Sequence, residues 1–236
     1  MIPKKIHYIW FGGNDLTPLA KKCIASWRKY CPDYEIIRWD ESNFDISQNR
    51  YCSEAYQAKK WAFASDYARL WVLVNEGGIY MDTDVEVLKP LDSFLDLESF
   101  SGFQTEDTIP TGIMASSCHH PFFEKLLRDY DDRCFIFPDG SLDLKTNVSL
   151  ITEDCLKSGL LLNNKKQTVE GFTLFPTEYF CPKDPTDLKL HLTNNSYTIH
   201  HFDGSWITPE ERFHRKIAGI IGPRATSIVK KILGRD

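Results

Sequence analysis

Gly77-Gly78-Ile79-Tyr80-Met81-Asp82-Thr83-Asp84-Val85 is the stretch that decides the fold. A short apolar run behind two glycines reads as a buried strand, and two carboxylates one residue apart stand at its end. On an extended chain residues i and i+2 point the same way, so Asp82 and Asp84 are expected to share one side and converge on a cation. Their hard oxygens suit Mg²⁺ or Mn²⁺, which bind through one or two protein carboxylates and complete their shell with water and phosphate oxygens. A lone Asp-x-Asp is usually an ordinary polar turn, so the surroundings decide.

Upstream, residues 53–76 carry the strongest helical period of the chain, through Trp61, Ala64, Ala68 and Leu73, and are predicted as one helix stopped by Gly77-Gly78. Asp66 and Arg69 lie three residues apart and share a face. An exposed pair of this kind contributes little to stability. This face is flanked by apolar positions, however, and the helix runs into the strand bearing Asp82 and Asp84, which places Asp66 and Arg69 beside the cation site. Residues 6–11 read as a first strand ending at Gly12-Gly13, and Trp10 stands at its carboxyl edge, where ligands of open α/β sheets sit. There Trp10 either stacks on a base or is a core aromatic.

A helix is predicted over 17–30, with Pro18 in its first turn, and a second strand over 34–39. Further strands are read over 85–88, within 95–103 and 109–115, and over 172–175, with helices over 122–130 and 148–156. His119 and His120 are chain neighbours whose side chains point apart, so they read as residues that open the helix at 122 rather than as ligands. Near the end, Tyr197-Thr198-Ile199-His200-His201-Phe202-Asp203-Gly204-Ser205-Trp206 reads as a strand reaching the surface with a histidine pair, an Asp and an indole donor. An imidazole there is an acceptable third ligand for Mn²⁺.

The 236 residues suffice for one sizeable domain, and 42% hydrophobic with 26% charged residues is ordinary for a soluble globular chain. A net charge of −5 argues against a nucleic-acid partner. From Arg212 onward seven Lys or Arg face one Asp, giving +6 and leaving −11 for the rest. Seven scattered cysteines, an odd number without a Cys-x-x-Cys pair, read as free thiols of a reducing cytosol. The apolar run at the N-terminus is short for a signal peptide and no stretch approaches the ~20 apolar residues of a membrane span, so the expected location is cytoplasmic.

The segments IHYIWFGG, WAFASDYARLWVLVNEGGIYMDTDVEVLKPLD and IHHFDGSW together resemble the glycosyltransferases with a DXD-containing sugar-binding region. These are relatives of the yeast Golgi initiating mannosyltransferase, of bacterial capsule and lipopolysaccharide enzymes and, more remotely, of the large clostridial glucosylating toxins. The resemblance covers nearly all of residues 1–206. It implies an α/β GT-A fold, a Rossmann-like nucleotide-binding sandwich with a central mixed sheet, forming the catalytic domain over 1–206. It also implies a nucleotide-sugar donor, UDP-linked by family habit, with Mn²⁺ or Mg²⁺ and retention of anomeric configuration.

Carried over residue by residue, Trp10 corresponds to the tryptophan that stacks on the nucleobase, Tyr80 to the tyrosine lining the nucleotide, and Trp206 to a donor to the leaving phosphate. Asp66 and Arg69 correspond to the pair holding sugar hydroxyls and diphosphate, Asp82 and Asp84 to the metal-binding DXD, and His201 to the metal-binding histidine. Asp82, Asp84 and Arg69 are thus the implied catalytic set. At Thr146-Asn147-Val148 the chain departs from the Gly-Pro that family members often carry after the Thr, which bears on the acceptor side.

The implied acceptor is a saccharide or lipid-linked saccharide of surface polysaccharide synthesis. Two rivals use the same residues: a metal-dependent phosphohydrolase and a non-catalytic nucleotide-sugar binding module. The tail, residues 207–236, spaces Ile217, Ile221, Ile228, Val229, Ile232 and Leu233 helically among basic residues. It reads either as lying on an anionic membrane surface, at its inner face, or as packing on its own domain.

Overall fold

The computed structural model describes residues 1–109 and 112–204. Trp206, the boundary at 206/207 and the basic tail lie outside the described residues. Strand β1 (Lys5–Ile9) leads to helix α1 (Pro18–Tyr30), which begins where Thr17 accepts a hydrogen bond from the Ala20 amide and Pro18 takes a first-turn position that needs no donor. Then come β2 (Glu35–Trp39), α2 (Arg50–Gln57), α3 (Trp61–Asn75), β3 (Gly78–Met81), β4 (Val85–Val87), β5 (Ser99–Gly102) and β6 (Ile113–Ser116). The chain continues through α4 (Pro121–Arg128), α5 (Asn147–Lys157), β7 (Gln167–Val169), β8 (Phe172–Phe175), α6 (Thr177–Phe180) and β9 (Thr198–His200).

Seven strands form one mixed sheet in the order β2-β1-β3-β6-β5-β8-β7, while β4 and β9 pair antiparallel beside it. β1 lies parallel to both β2 and β3, and β3 lies antiparallel to β6. Side chains alternate across the central strands, and each face has its own core. On β3, Ile79 and Met81 join Ile6, Tyr8 and Trp27 on one face, while Tyr80 joins the opposite core with Ala64, Ala68 and Leu73 of α3. A mixed sheet with helices on both faces and the Asp-x-Asp turn beyond the carboxyl end of β3 is the GT-A layout implied by the resemblance.

Two features differ from the sequence expectation. Residues 53–76 are two helices, because α2 ends at a left-handed Lys59 (φ 57°) and the Lys60 amide closes back on the Ala55 carbonyl at 2.9 Å. That ending is usually supplied by glycine, so the lysine gave no stop signal. Asp82 and Asp84 are not on an extended strand either: the Val85 amide donates to the Asp82 carbonyl at 3.0 Å, and the pair occupies a turn between β3 and β4. Gly77 (φ 63°) ends α3 in the left-handed region, and at Gly78 (φ 93°) a Cβ would lie 2.8 Å from the Lys5 carbonyl oxygen. Helix α4 opens on His120, whose Nδ1 accepts from the Phe122 amide at 3.3 Å. All seven cysteines are free thiols.

His7 locks the sheet to the end of α3. Its Nε2 lies 2.8 Å from the Gly77 carbonyl, which can only accept, and its Nδ1 lies 3.1 Å from Trp39 Nε1, which can only donate. The ring is therefore the neutral Nε2–H tautomer. Burial pushes its pKa from 6.5 down to about 4, against an opposing pull from the Gly77 bond. Below pH 6.5 the unfolded chain takes up a proton that the native chain refuses until about pH 4. Stability is thus fully present above 6.5, and about 3 kcal/mol of it is lost as pH falls across that window. Urea unfolding at pH 7 and pH 4.5 of wild type and His7→Gln should show a steeper acid loss in the wild type; parallel losses would contradict the assignment.

Candidate active site

The turn after β3, the start of α3, the loop after β1 and the end of β9 border a single cleft of about 450 Å³. Trp10, Asp66, Arg69, Tyr80, Asp82 and Asp84 all line it. Six residues singled out in the sequence thus come together around one volume, though the chain separates them by up to 74 positions. Trp10 is half-buried, and its indole N–H donates to the Asn14 carbonyl at 2.7 Å, which fixes the ring at the rim. Trp61, read in the sequence only as part of the helical period, and Phe63, which carried no signal there, add aromatic wall at the start of α3. Gly12 lies against Trp61, whose ring would be 2.9 Å from any Cβ placed there.

Arg69 is the electrostatic hub. It is 6% exposed, and its Nη2 lies 3.4 Å from both Asp66 Oδ1 and Asp82 Oδ1. Its guanidinium carbon stands 4.7 Å from the centroid of the Tyr80 ring, whose hydroxyl donates to Asp82 Oδ1 at 2.6 Å. Burial alone would lower the Arg69 pKa, but the Asp82 carboxylate and its neighbours hold it above the ordinary value. Burial raises the Asp66 carboxyl against the pull of Arg69 and of the Asn147 amide. The surface ion pair admitted by the helix spacing is instead an interior network tying α3 to β3.

The imidazole partner of the Asp pair is His200. Its Nε2 lies 3.3 Å from Asp84 Oδ1, and donor atoms of Asp82, Asp84 and His200 all fall within 4.8 Å of one another. His201, the histidine implied by the resemblance, turns the other way: its Nε2 sits 2.8 Å from Glu86 Oε2, which Lys22 also approaches at 2.8 Å. Strand alternation is the reason. The β4–β9 ladder pairs Ile199 with Glu86, so His201, two residues on, shares the Glu86 face, while His200 points to the opposite side, where the turn brings Asp84. His201 still serves the turn through its backbone, its amide donating to the Asp84 carbonyl at 2.9 Å, while the Asp203 amide donates to Asp84 Oδ2 at 2.9 Å.

Burial raises the Asp84 pKa, yet His200 and the Asp203 amide overcome this and hold it well below the carboxylate range. Asp84 in turn outweighs burial and holds His200 protonated well above the histidine range, so ligation by His200 requires loss of that proton. Gly112 makes room for the ring, since a Cβ there would lie 2.7 Å from His200 Nδ1. Two hard carboxylate oxygens and an imidazole nitrogen in a turn bordering a cleft fit a Mn²⁺-type cation.

Residues 18–101 match the family model described as glycosyltransferase sugar-binding region containing DXD motif. This stretch, about a third of the chain, is thus similar to the sugar-binding region of the DXD-containing glycosyltransferases. Inositol phosphoceramide mannosyltransferase 3 of Schizosaccharomyces pombe is 28% identical over 140 residues, 54% of this chain and 37% of that protein. An uncharacterized glycosyltransferase, L373, of Acanthamoeba polyphaga mimivirus is 27% identical over 220 residues, 85% of each chain. This chain therefore spans little more than a third of the fungal relative. Among solved structures, the PaToxG glycosyltransferase is 24% identical with a TM-score of 0.46, covering 54% of this chain and 58% of that one, a likeness too loose for residue correspondence. No helix among the described residues is long and apolar enough to cross a membrane.

Proposed function

We propose that this chain is a metal-dependent glycosyltransferase that moves a hexose or N-acetylhexosamine from a nucleotide sugar, UDP-linked by preference, to a saccharide or lipid-linked acceptor. The observation that carries the reading is the juxtaposition, in one cleft, of Trp10 at the rim with the Asp82–Asp84–His200 cluster and the buried Asp66–Arg69 pair. Asp82, Asp84 and His200 would hold Mn²⁺ or Mg²⁺, which when bound neutralises charge on the departing diphosphate. Trp10 would stack on the base, and Tyr80 would line the nucleotide through the ring that already carries Arg69. Arg69 directs a fixed positive charge, held by the protein before any substrate arrives, toward the growing charge of the diphosphate.

Asp66 would accept hydrogen bonds from sugar hydroxyls. Asp66 and Asp82 are both engaged by protein donors, so the reading keeps retention through attack on the face from which the leaving group departs. Trp206 is proposed as a further donor to that leaving group, within a catalytic domain ending at residue 206. The fungal relative's name specifies transfer to an inositol phosphoceramide, which favours a lipid-linked acceptor over a free sugar. Surface polysaccharide synthesis at the inner face of an anionic membrane, reached through the basic tail, completes the reading. In a panel of UDP-glucose, UDP-galactose, UDP-N-acetylglucosamine and GDP-mannose, one donor should be hydrolysed slowly in the presence of Mn²⁺ and none after chelation. Release of inorganic phosphate instead of a nucleoside diphosphate would favour the phosphohydrolase, and no turnover of any donor would favour a binding module.

A further inference from the structure

Asp66 is held from behind by residues that do not border the cleft. Asn147, the first residue of α5 and 1% exposed, grips it twice: its backbone N–H donates to Asp66 Oδ2 at 3.2 Å, and its side-chain amide donates to the Asp66 main-chain carbonyl at 2.7 Å. The remaining side-chain oxygen of Asn147 accepts from the Tyr130 hydroxyl at 2.6 Å. Tyr130 is itself fully buried, with its carbonyl accepting from the Asn49 amide at 3.0 Å.

The Arg133 guanidinium lies over the Tyr130 ring at 4.5 Å and over the Tyr51 ring at 4.6 Å. It also donates to Asp143 Oδ2 through Nε at 3.1 Å and Nη2 at 2.6 Å, and to the Lys145 carbonyl at 3.4 Å. One cation thus clamps both Tyr130 and the segment that leads into α5. Thr146 and Val148, on either side of Asn147, line the cleft next to Asp66, whereas Tyr130 and Arg133 do not.

We propose that Tyr130 and Arg133 are positioning residues for sugar selection: acting through Asn147, they set the Asp66 carboxylate and the Thr146–Val148 wall against the donor's sugar hydroxyls. The inference rests on the glycosyltransferase reading of the same cleft. Its physical basis is that a buried amide with both hydrogen-bonding ends satisfied has one orientation. Removing the Tyr130 hydroxyl leaves the Asn147 oxygen without its donor inside the protein and frees the amide to rotate. Such a change reaches the sugar end of the cleft and leaves the Trp10 rim untouched.

Calorimetric titration of the full chain with Mn²⁺ and UDP, GDP, UDP-glucose, UDP-galactose, UDP-N-acetylglucosamine or GDP-mannose tests this. Tyr130→Phe keeps the ring under Arg133 and deletes one hydroxyl. It should leave affinity for the nucleoside diphosphate within about twofold of wild type and compress the preference for the best sugar conjugate about fivefold. Arg133→Met should compress it at least as far. Arg133→Lys, which keeps a cation over the rings and loses the forked contact with Asp143, should fall between Arg133→Met and wild type.

A folded Tyr130→Phe protein with wild-type sugar preference would overturn the proposal. Equal weakening of the diphosphate and its sugar conjugates would overturn it too, by showing a structural role alone. If wild type bound UDP or GDP yet showed no preference among the conjugates, this inference would fail while the glycosyltransferase reading stood. If it bound no nucleotide at all, both would fall.

Discussion

Asp84→Asn is expected to lower Mn²⁺-dependent donor hydrolysis by about three orders of magnitude while the fold survives. The substitution is nearly isosteric and keeps an oxygen that accepts from the Asp203 amide, so the turn between β3 and β4 retains a bond now made at 2.9 Å. It removes the charge that the cation site and His200 share. The imidazole then loses the counter-charge that keeps it protonated, and a neutral amide oxygen replaces a hard anionic ligand. Thermal unfolding together with Mn²⁺ titration would separate the two effects: a lowered but still cooperative melting transition with lost metal affinity is the expected pair of results. Turnover within a few-fold of wild type would discard the metal assignment.

Arg69→Met is expected to cost about 3–5 kcal/mol of folding stability, because it strands two carboxylates around a buried position rather than deleting a surface charge. The Arg69 and Asp66 side chains are 7% and 10% exposed and that of Asp82 is 25% exposed, so water cannot rescreen Asp66 cheaply once the guanidinium is gone. Met fills much of the space under Tyr80 but offers no donor. Arg69→Lys should be milder, retaining the charge without the planar fork that reaches Asp66 and Asp82 from one atom and stacks on Tyr80. Urea unfolding at neutral pH measures both. A loss below about 1 kcal/mol for Arg69→Met would mean that the pair behaves as an exposed one.

What could be read from the chain before its structure follows from which interactions are local. The start of α1 was legible because Thr17 and Pro18 act within one turn, and the end of α3 because Gly77 needs a positive φ. The division of 53–76 was not, since the left-handed residue that ends α2 is a lysine rather than the glycine that signals such an ending. The choice between His200 and His201 turns on strand parity, which a sequence shows only once the partner register is known: pairing of Ile199 with Glu86 puts His201 on the Glu86 face and leaves His200 for the turn. Asn147 showed no local signal, because its partners, Asp66 and Tyr130, are 81 and 17 positions away.

From the sequence alone came the helix-glycine-strand unit and the pairing of Asp66 with Arg69 and of Asp82 with Asp84 as candidates, because short-range periodicity and turn chemistry are written in neighbouring residues; the α/β GT-A class and the place of Tyr80 were implied by the resemblance of its motifs. Only the tertiary structure decided that the aspartates meet on a turn, that His200 rather than His201 faces them, and that Arg69 is buried between two carboxylates. Those facts depend on sheet register and on packing between distant segments, where a shift of one residue turns a side chain from the cleft to the opposite face.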